Sequence, residues 1–288
     1  VDSIDALDDI FHYSPLTVVT HCEDPQRVKD NEKLFYDKYG SDLSAEHHHL
    51  IRDVESCYLS SSLAVALAKK YDANLHVFHL TTAKEMDLFS PGPVDGKKIT
   101  AEVCVHHMYF NESYYAELGN QIKCNPSIKD ESDRLALIKA LKEDKIDIIA
   151  SDHAPHTWDE KMMKYQDAPA GLPLVQHELQ ILMDFYNEGI LSLETIVEKT
   201  SHNVAKRFQV KDRGYIREGY YADLAILDID KSYTVSEENI LYKCGWSPFA
   251  GKTFNSSIYM TIVNGHIAFQ DNQINQDLPF GMQVEFDR

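Results

Sequence analysis

The chain has 288 residues, 43% hydrophobic and 26% charged, enough for one large core or a core with a small satellite. Its 46 acidic residues against 28 basic ones give a formal net charge of -18, which argues against a nucleic-acid backbone or an anionic membrane as partner. A small anionic substrate stays open, because one metal ion or arginine can invert the field inside a single pocket.

Five widely spaced cysteines (Cys22, Cys57, Cys104, Cys124, Cys244) with no CxxC suit a reducing cytoplasm better than a disulfide framework. No apolar run approaches the ~20 residues of a membrane span. The opening Val1-Asp2-Ser3-Ile4-Asp5 is neither basic nor apolar, unlike a secretory signal. The expected setting is cytoplasmic, with a small-molecule substrate, a possible homo-oligomer, and neither nucleic acid nor membrane as partner.

In chain order, Leu16 to Thr20 reads as a short buried strand, followed by an amphipathic helix over Pro25 to Tyr39. His47-His48-His49 looks like a solvated face ahead of the next helix, Val54 to Tyr71. Strands then fall at Leu75 to Phe78, Ile99 to Val105 and Ile146 to Ala150, with helices over Arg134 to Leu141 and Val175 to Asn187. Strand and helix in alternation predict a parallel α/β architecture. After about Phe208 the texture changes to turn-rich sequence, with strands at Ala222 to Leu227, Ile258 to Val263 and His266 to Phe269. Asn264-Gly265 between the last two is a strong hairpin signal. The expected domains are 1–207, α/β, and 208–288, a small antiparallel β unit.

Three of the four α/β strands run into a potential metal ligand: His21, His79 and Asp152. In parallel barrels the C-terminal strand ends converge on one face where the chemistry sits, and imidazole with carboxylate suits a hydrolytic metal. A single histidine after a strand is usually a hydrogen-bonded capping group; three ligand types in corresponding positions favour a metal site. The densest segment is Asp152-His153-Ala154-Pro155-His156, where Pro155 stiffens the turn between two imidazoles and a carboxylate.

That segment resembles the signature of the dihydroorotases, in the amidohydrolase superfamily alongside dihydropyrimidinases and allantoinases. Other segments resemble the family in the same order: His21-Cys22-Glu23-Asp24, His79-Leu80-Thr81-Thr82-Ala83, Glu102 to His107, and Cys124-Asn125-Pro126-Ser127-Ile128-Lys129. Gly219 to Leu224, Ser247 to Gly251 and Val263-Asn264-Gly265 are similar to its closing β segment. The resemblance implies a binuclear Zn2+ hydrolase interconverting dihydroorotate and N-carbamoyl-aspartate in pyrimidine biosynthesis. It implies His21 and His79 as imidazole ligands of one zinc, and Asp152 as ligand of the other and proton shuttle. His156 matches the residue that binds the substrate carboxylate, Asn125 one that holds the ring, and the backbone at Ala170-Gly171 a further carboxylate contact. Lys129 and Ser127 depart from the family's Arg and Pro. His106 and His107 read equally well as groups orienting the ligands or as core histidines, and His153 as a group fixing its loop.

Two alternatives stand beside this reading: a hydantoinase, dihydropyrimidinase or allantoinase, and a catalytically dead paralogue supporting a partner enzyme. The family fold is a TIM-like barrel whose first strand ends in His-x-His and whose fourth carries a bridging, usually carboxylated, lysine. Neither element precedes His21, and no initiator Met is present. The resemblance therefore implies that the strands ending at His21, His79, His106 and Asp152 are the fifth to eighth, a half-barrel inactive alone.

Overall fold

The computed structural model describes residues 3–276 and 281–287. The chain divides into two compact units, one ending at Val175 and the other beginning at Gln176. The division falls before the boundary expected at 207/208, so the helices Glu178–Asn187, Leu193–Val197 and Asn203–Phe208 cluster with the C-terminal strands.

The first unit is built on four parallel strands in sequential order: β1 (Val18–Thr20), β2 (Leu75–Val77), β3 (Ile99–Cys104) and β4 (Ile148–Ala150). Val18 pairs with Leu75, Leu75 with Ile99, and Glu102 with Ile148. Every residue of β2 is fully buried, as expected of a parallel strand covered on both faces, whereas Val19 of β1 is exposed. The β-branched and aliphatic runs produced strands at all four expected places. β3 stops one residue early because a short helix, Val105–Tyr109, takes His106 and His107.

The helices start where short acidic side chains can accept the first free amides. Asp24 caps Pro25–Tyr39 from a position just before the N1 proline, Asp53 caps Val54–Tyr71, and Asp130 caps Glu131–Lys142. Val54–Tyr71 ends at Asp72 in a left-handed conformation. The helices bury Cys57, Val65, Ala68, Leu137 and Leu141 in the same core as Leu75, Val77, Ala101 and Val103. No helix among the described residues is long and apolar enough to cross a membrane.

One expectation fails. The His47-His48-His49 run is no solvated face: His48 is 1% exposed, bonded through Nδ1 to the Tyr165 hydroxyl at 2.8 Å and through Nε2 to the Cys124 carbonyl at 2.8 Å. Those two partners satisfy both ring nitrogens, and this is what makes burial tolerable.

The second unit contains an antiparallel sheet of Leu224–Asp228, Ser257–Val263, His266–Gln270 and Gln273–Ile274. Asn264 and Gly265 both take positive φ, at 52° and 81°, in the tight turn that this dipeptide favours.

Candidate metal and substrate site

His21 and His79 leave the C-terminal ends of the adjacent strands β1 and β2. His79 and Asp152 each adopt positive φ, 35° and 47°, so the chain bends sharply where it leaves the sheet. Non-glycine residues rarely sit there, and such strain clusters at functional sites.

The His21 Nδ1 and His79 Nε2 atoms are 3.1 Å apart, with their rings nearly perpendicular at 78°. Two nitrogens on one tetrahedral zinc, each ~2.0–2.1 Å from it, stand about 3.3 Å apart. The far nitrogen of His21, Nε2, donates to Glu23 Oε2 at 2.9 Å, which fixes the tautomer and leaves the Nδ1 lone pair turned to His79. Burial would raise the Glu23 carboxyl, but the His21 hydrogen bond and the charges of Arg52 and Lys129 overcome it and hold it at about 2. Arg52 Nη1 lies 2.5 Å from the same carboxylate oxygen. Burial keeps His79 neutral, pushed down to about 3, and its Nδ1 has no hydrogen-bond partner among the described residues. The pair thus fits a metal: two converging imidazole nitrogens, with His79 held neutral by burial and His21 oriented by an ionised carboxylate.

Asp152 closes the same strand-end edge from β4. Its carboxyl is raised by burial and by the Glu102 charge, and His21 pulls it back down, so it shares an electrostatic field with the imidazole pair. Glu102 is itself held by His76 Nε2 at 3.0 Å.

The other expected residues surround this edge. Asn125 lines a cavity of about 460 Å3 together with Arg52, Lys123, His48 and Ala170. Its buried Oδ1 has no partner among the described residues. His156 Nε2 donates to the Ala170 carbonyl at 3.1 Å. Gly171, at φ +135°, packs so closely that a Cβ there would lie 2.4 Å from the Ala154 carbonyl oxygen. The Gly171 amide donates to the Lys123 carbonyl at 2.8 Å, so the residue contributes its close approach rather than a spare N–H. His153 Nδ1 accepts the Leu174 amide at 3.0 Å, which ties down its loop.

His106 and His107 are 0% and 3% exposed, and both are held neutral by burial, His106 at about 3. With Cys104 they bring three ligand atoms within 4.8 Å of one another. Four residues around the edge escaped the sequence reading of roles: Glu23, Arg52, Lys123 and Lys161. The Glu two residues after His21 was the one available signal, since a carboxylate near a ligand histidine commonly orients it.

The amidohydrolase family matches residues 17–268. The chain belongs to that family. The amidohydrolase chain is 36% identical over 207 residues to a dihydroorotase of Clostridium acetobutylicum, covering 72% of this chain and 49% of that protein. It is 30% identical over 273 residues to a dihydroorotase of Methanosphaera stadtmanae, covering 93% and 62%. The chain thus spans about half to three-fifths of the length of these relatives. Among solved structures, an L-hydantoinase (dihydropyrimidinase) from Arthrobacter aurescens superposes with a TM-score of 0.88 at 23% identity, over 98% of this chain and 64% of that one. The likeness establishes an α/β amidohydrolase fold with a parallel sheet and helices.

Proposed function

We propose that this chain carries part of the active site of a zinc-dependent cyclic amidohydrolase acting on dihydroorotate and N-carbamoyl-aspartate. The observation that carries the reading is the convergence of His21 Nδ1 and His79 Nε2, 3.1 Å apart at adjacent strand ends, with Asp152 on the same edge. The curated dihydroorotases to which the chain is similar support the substrate choice.

In this proposal His21 and His79 hold one ion of a binuclear pair and Asp152 contributes to the second. Metal bound there supplies an activated water and a Lewis acid for the amide carbonyl. Asp152 would accept the proton of the attacking water and deliver it to the ring nitrogen as that nitrogen leaves. Glu23, anchored by Arg52, keeps the His21 ring in its ligating tautomer. His156 and Asn125 bind the substrate's carboxylate and ring, beside the Ala170-Gly171 backbone.

We further read β1 to β4 as the fifth to eighth strands of an eight-stranded barrel. Among the described residues β1 and β4 are edge strands, each with a single neighbour, and unpaired parallel edges seek partners. On that reading the 288 residues need the other strands for turnover. All five cysteines are free thiols, which suits a reducing cytoplasm.

The test is substrate preference of the purified full-length protein. Dihydroorotate should be hydrolysed with a higher kcat/KM than dihydrouracil, hydantoin or allantoin. A preference for a ring without the carboxylate would reject the dihydroorotase reading in favour of a dihydropyrimidinase-type enzyme.

A further inference from the structure

Two lysines that the chemistry above does not use are buried beside the substrate-binding elements. Lys161 is 0% exposed and Lys123 is 9% exposed. A buried ammonium is strongly disfavoured unless its protons are matched by acceptors. Here the match is complete for Lys161: its three donors reach the carbonyls of Lys123 at 3.2 Å, Pro169 at 2.9 Å and Gly171 at 2.9 Å. Lys123 Nζ donates to the carbonyls of Tyr165 at 2.7 Å and Ala168 at 2.6 Å, and lies 4.3 Å from the centre of the Tyr165 ring.

Four of these five acceptors belong to residues 165–171. The fifth is the Lys123 carbonyl, which also takes the Gly171 amide at 2.8 Å. The two side chains therefore fasten one loop from two sides: Lys123 from the segment that continues into Asn125, and Lys161 from the short helix Trp158–Lys161 that follows His156. Between the two Lys161 acceptors in the loop, Pro169 and Gly171, sits Ala170, whose carbonyl accepts from His156 Nε2. Charge-assisted bonds to several carbonyls at once are stronger than neutral ones and hold a loop of otherwise irregular backbone in one place.

We infer that Lys123 and Lys161 are positioning residues for substrate binding, which hold the 165–171 loop and, through the Ala170 carbonyl, the ring of His156. The inference rests on the assignment of His156 and this loop to the substrate carboxylate. It predicts an effect on affinity rather than on the chemical step, because neither lysine touches the His21, His79 or Asp152 side chains through a hydrogen bond.

The test uses the full-length enzyme with Lys161→Met and Lys123→Met, read by hydrogen exchange, metal content and steady-state kinetics. Lys161→Met should raise amide exchange across 165–172 by about tenfold or more. KM for dihydroorotate should rise about tenfold, the change expected from one displaced charge-assisted contact. The kcat should stay within about threefold, and metal content should be unchanged. Faster exchange with an unmoved KM makes the lysines merely structural and overturns the inference, as does a variant unchanged in both. If Lys161→Met does not fold, Lys123→Met, which deletes two of the five bonds, gives the same reading. Failure of both to fold assigns the lysines to stability and refutes a positioning role. A wild-type enzyme inert toward dihydroorotate sinks the substrate assignment alone, and the exchange comparison then still decides whether the lysines hold the loop.

Discussion

Replacing Gly171 by alanine tests the packing of the substrate loop with one added methyl group. Where alanine can adopt the native φ and ψ without strain, a Gly→Ala change stabilises by roughly 0.4–1 kcal/mol, because the unfolded chain loses freedom. Gly171 should do the reverse for two separable reasons. Its φ of +135° lies where side chains are strained, at a cost on the order of 1–3 kcal/mol. The new Cβ would also lie 2.4 Å from the Ala154 carbonyl oxygen and 2.9 Å from the Ala154 Cβ. The Ala154 oxygen cannot swing aside freely, because its peptide leads into Pro155, whose ring fixes φ, and the Ala154 amide on the other side is held to the Leu172 carbonyl at 3.0 Å. Relief must come from moving the loop, which strains the Gly171–Lys123 and His156–Ala170 bonds. The combined loss is about 3 kcal/mol, strain plus one weakened buried hydrogen bond. Gly119→Ala is the control: at φ +52° and ψ -129° it carries backbone strain of the same order, about 1–3 kcal/mol, but nothing lies within 4 Å of the added carbon, so the collision is missing. Urea unfolding of the full-length protein gives both values. A Gly171→Ala protein as stable as Gly119→Ala would refute the collision, and with it the tight seat given to the loop.

Three further outcomes follow from the same geometry. Asp152→Asn should lower kcat by about 10²–10⁴-fold with substrate binding largely retained, since the amide cannot carry the proton; a variant within a few-fold of wild type removes Asp152 from that role. His156→Ala should lower kcat/KM for dihydroorotate by roughly 1.5–3 kcal/mol while leaving an uncharged dihydropyrimidine little changed; equal losses on both substrates would unseat His156 from the carboxylate. The third outcome concerns pH. Burial pushes His48 down to about 3, below its unfolded value of about 6.5, so its contribution is intact above pH ~6.5 and is lost as pH falls from there toward 3. Unfolding free energy should therefore drop on acidification with a His48 share of up to about 1.4 kcal/mol per pH unit. His48→Gln should flatten that slope, and an unaltered slope would contradict the burial argument.

The sequence was informative where a local pattern decides the outcome. β-branched runs at Leu75 to Val77 and Ile148 to Ala150 make strands wherever they are covered, and Asp24, Asp53 and Asp130 start helices by capping their own backbone. The strand-end placement of His21, His79 and Asp152 was legible for the same reason. Features decided by distant partners were not. The His47-His48-His49 run looks hydrophilic, yet His48 is buried because Tyr165 and Cys124, far along the chain, satisfy both its nitrogens. Lys161 sits in the polar stretch Trp158-Asp159-Glu160-Lys161, which carries no local signal of burial; its burial depends on carbonyls of a loop that has no periodicity to announce it. The boundary at Val175/Gln176 is likewise a property of packing between segments.

The most direct test of the metal site is metal stoichiometry in the full-length protein, compared with a variant carrying His21→Ala and His79→Ala together. Both imidazoles converge on one point, so the double variant should lose about one zinc per chain and retain the other on its remaining ligands. A folded double variant that still binds two zincs would contradict the account.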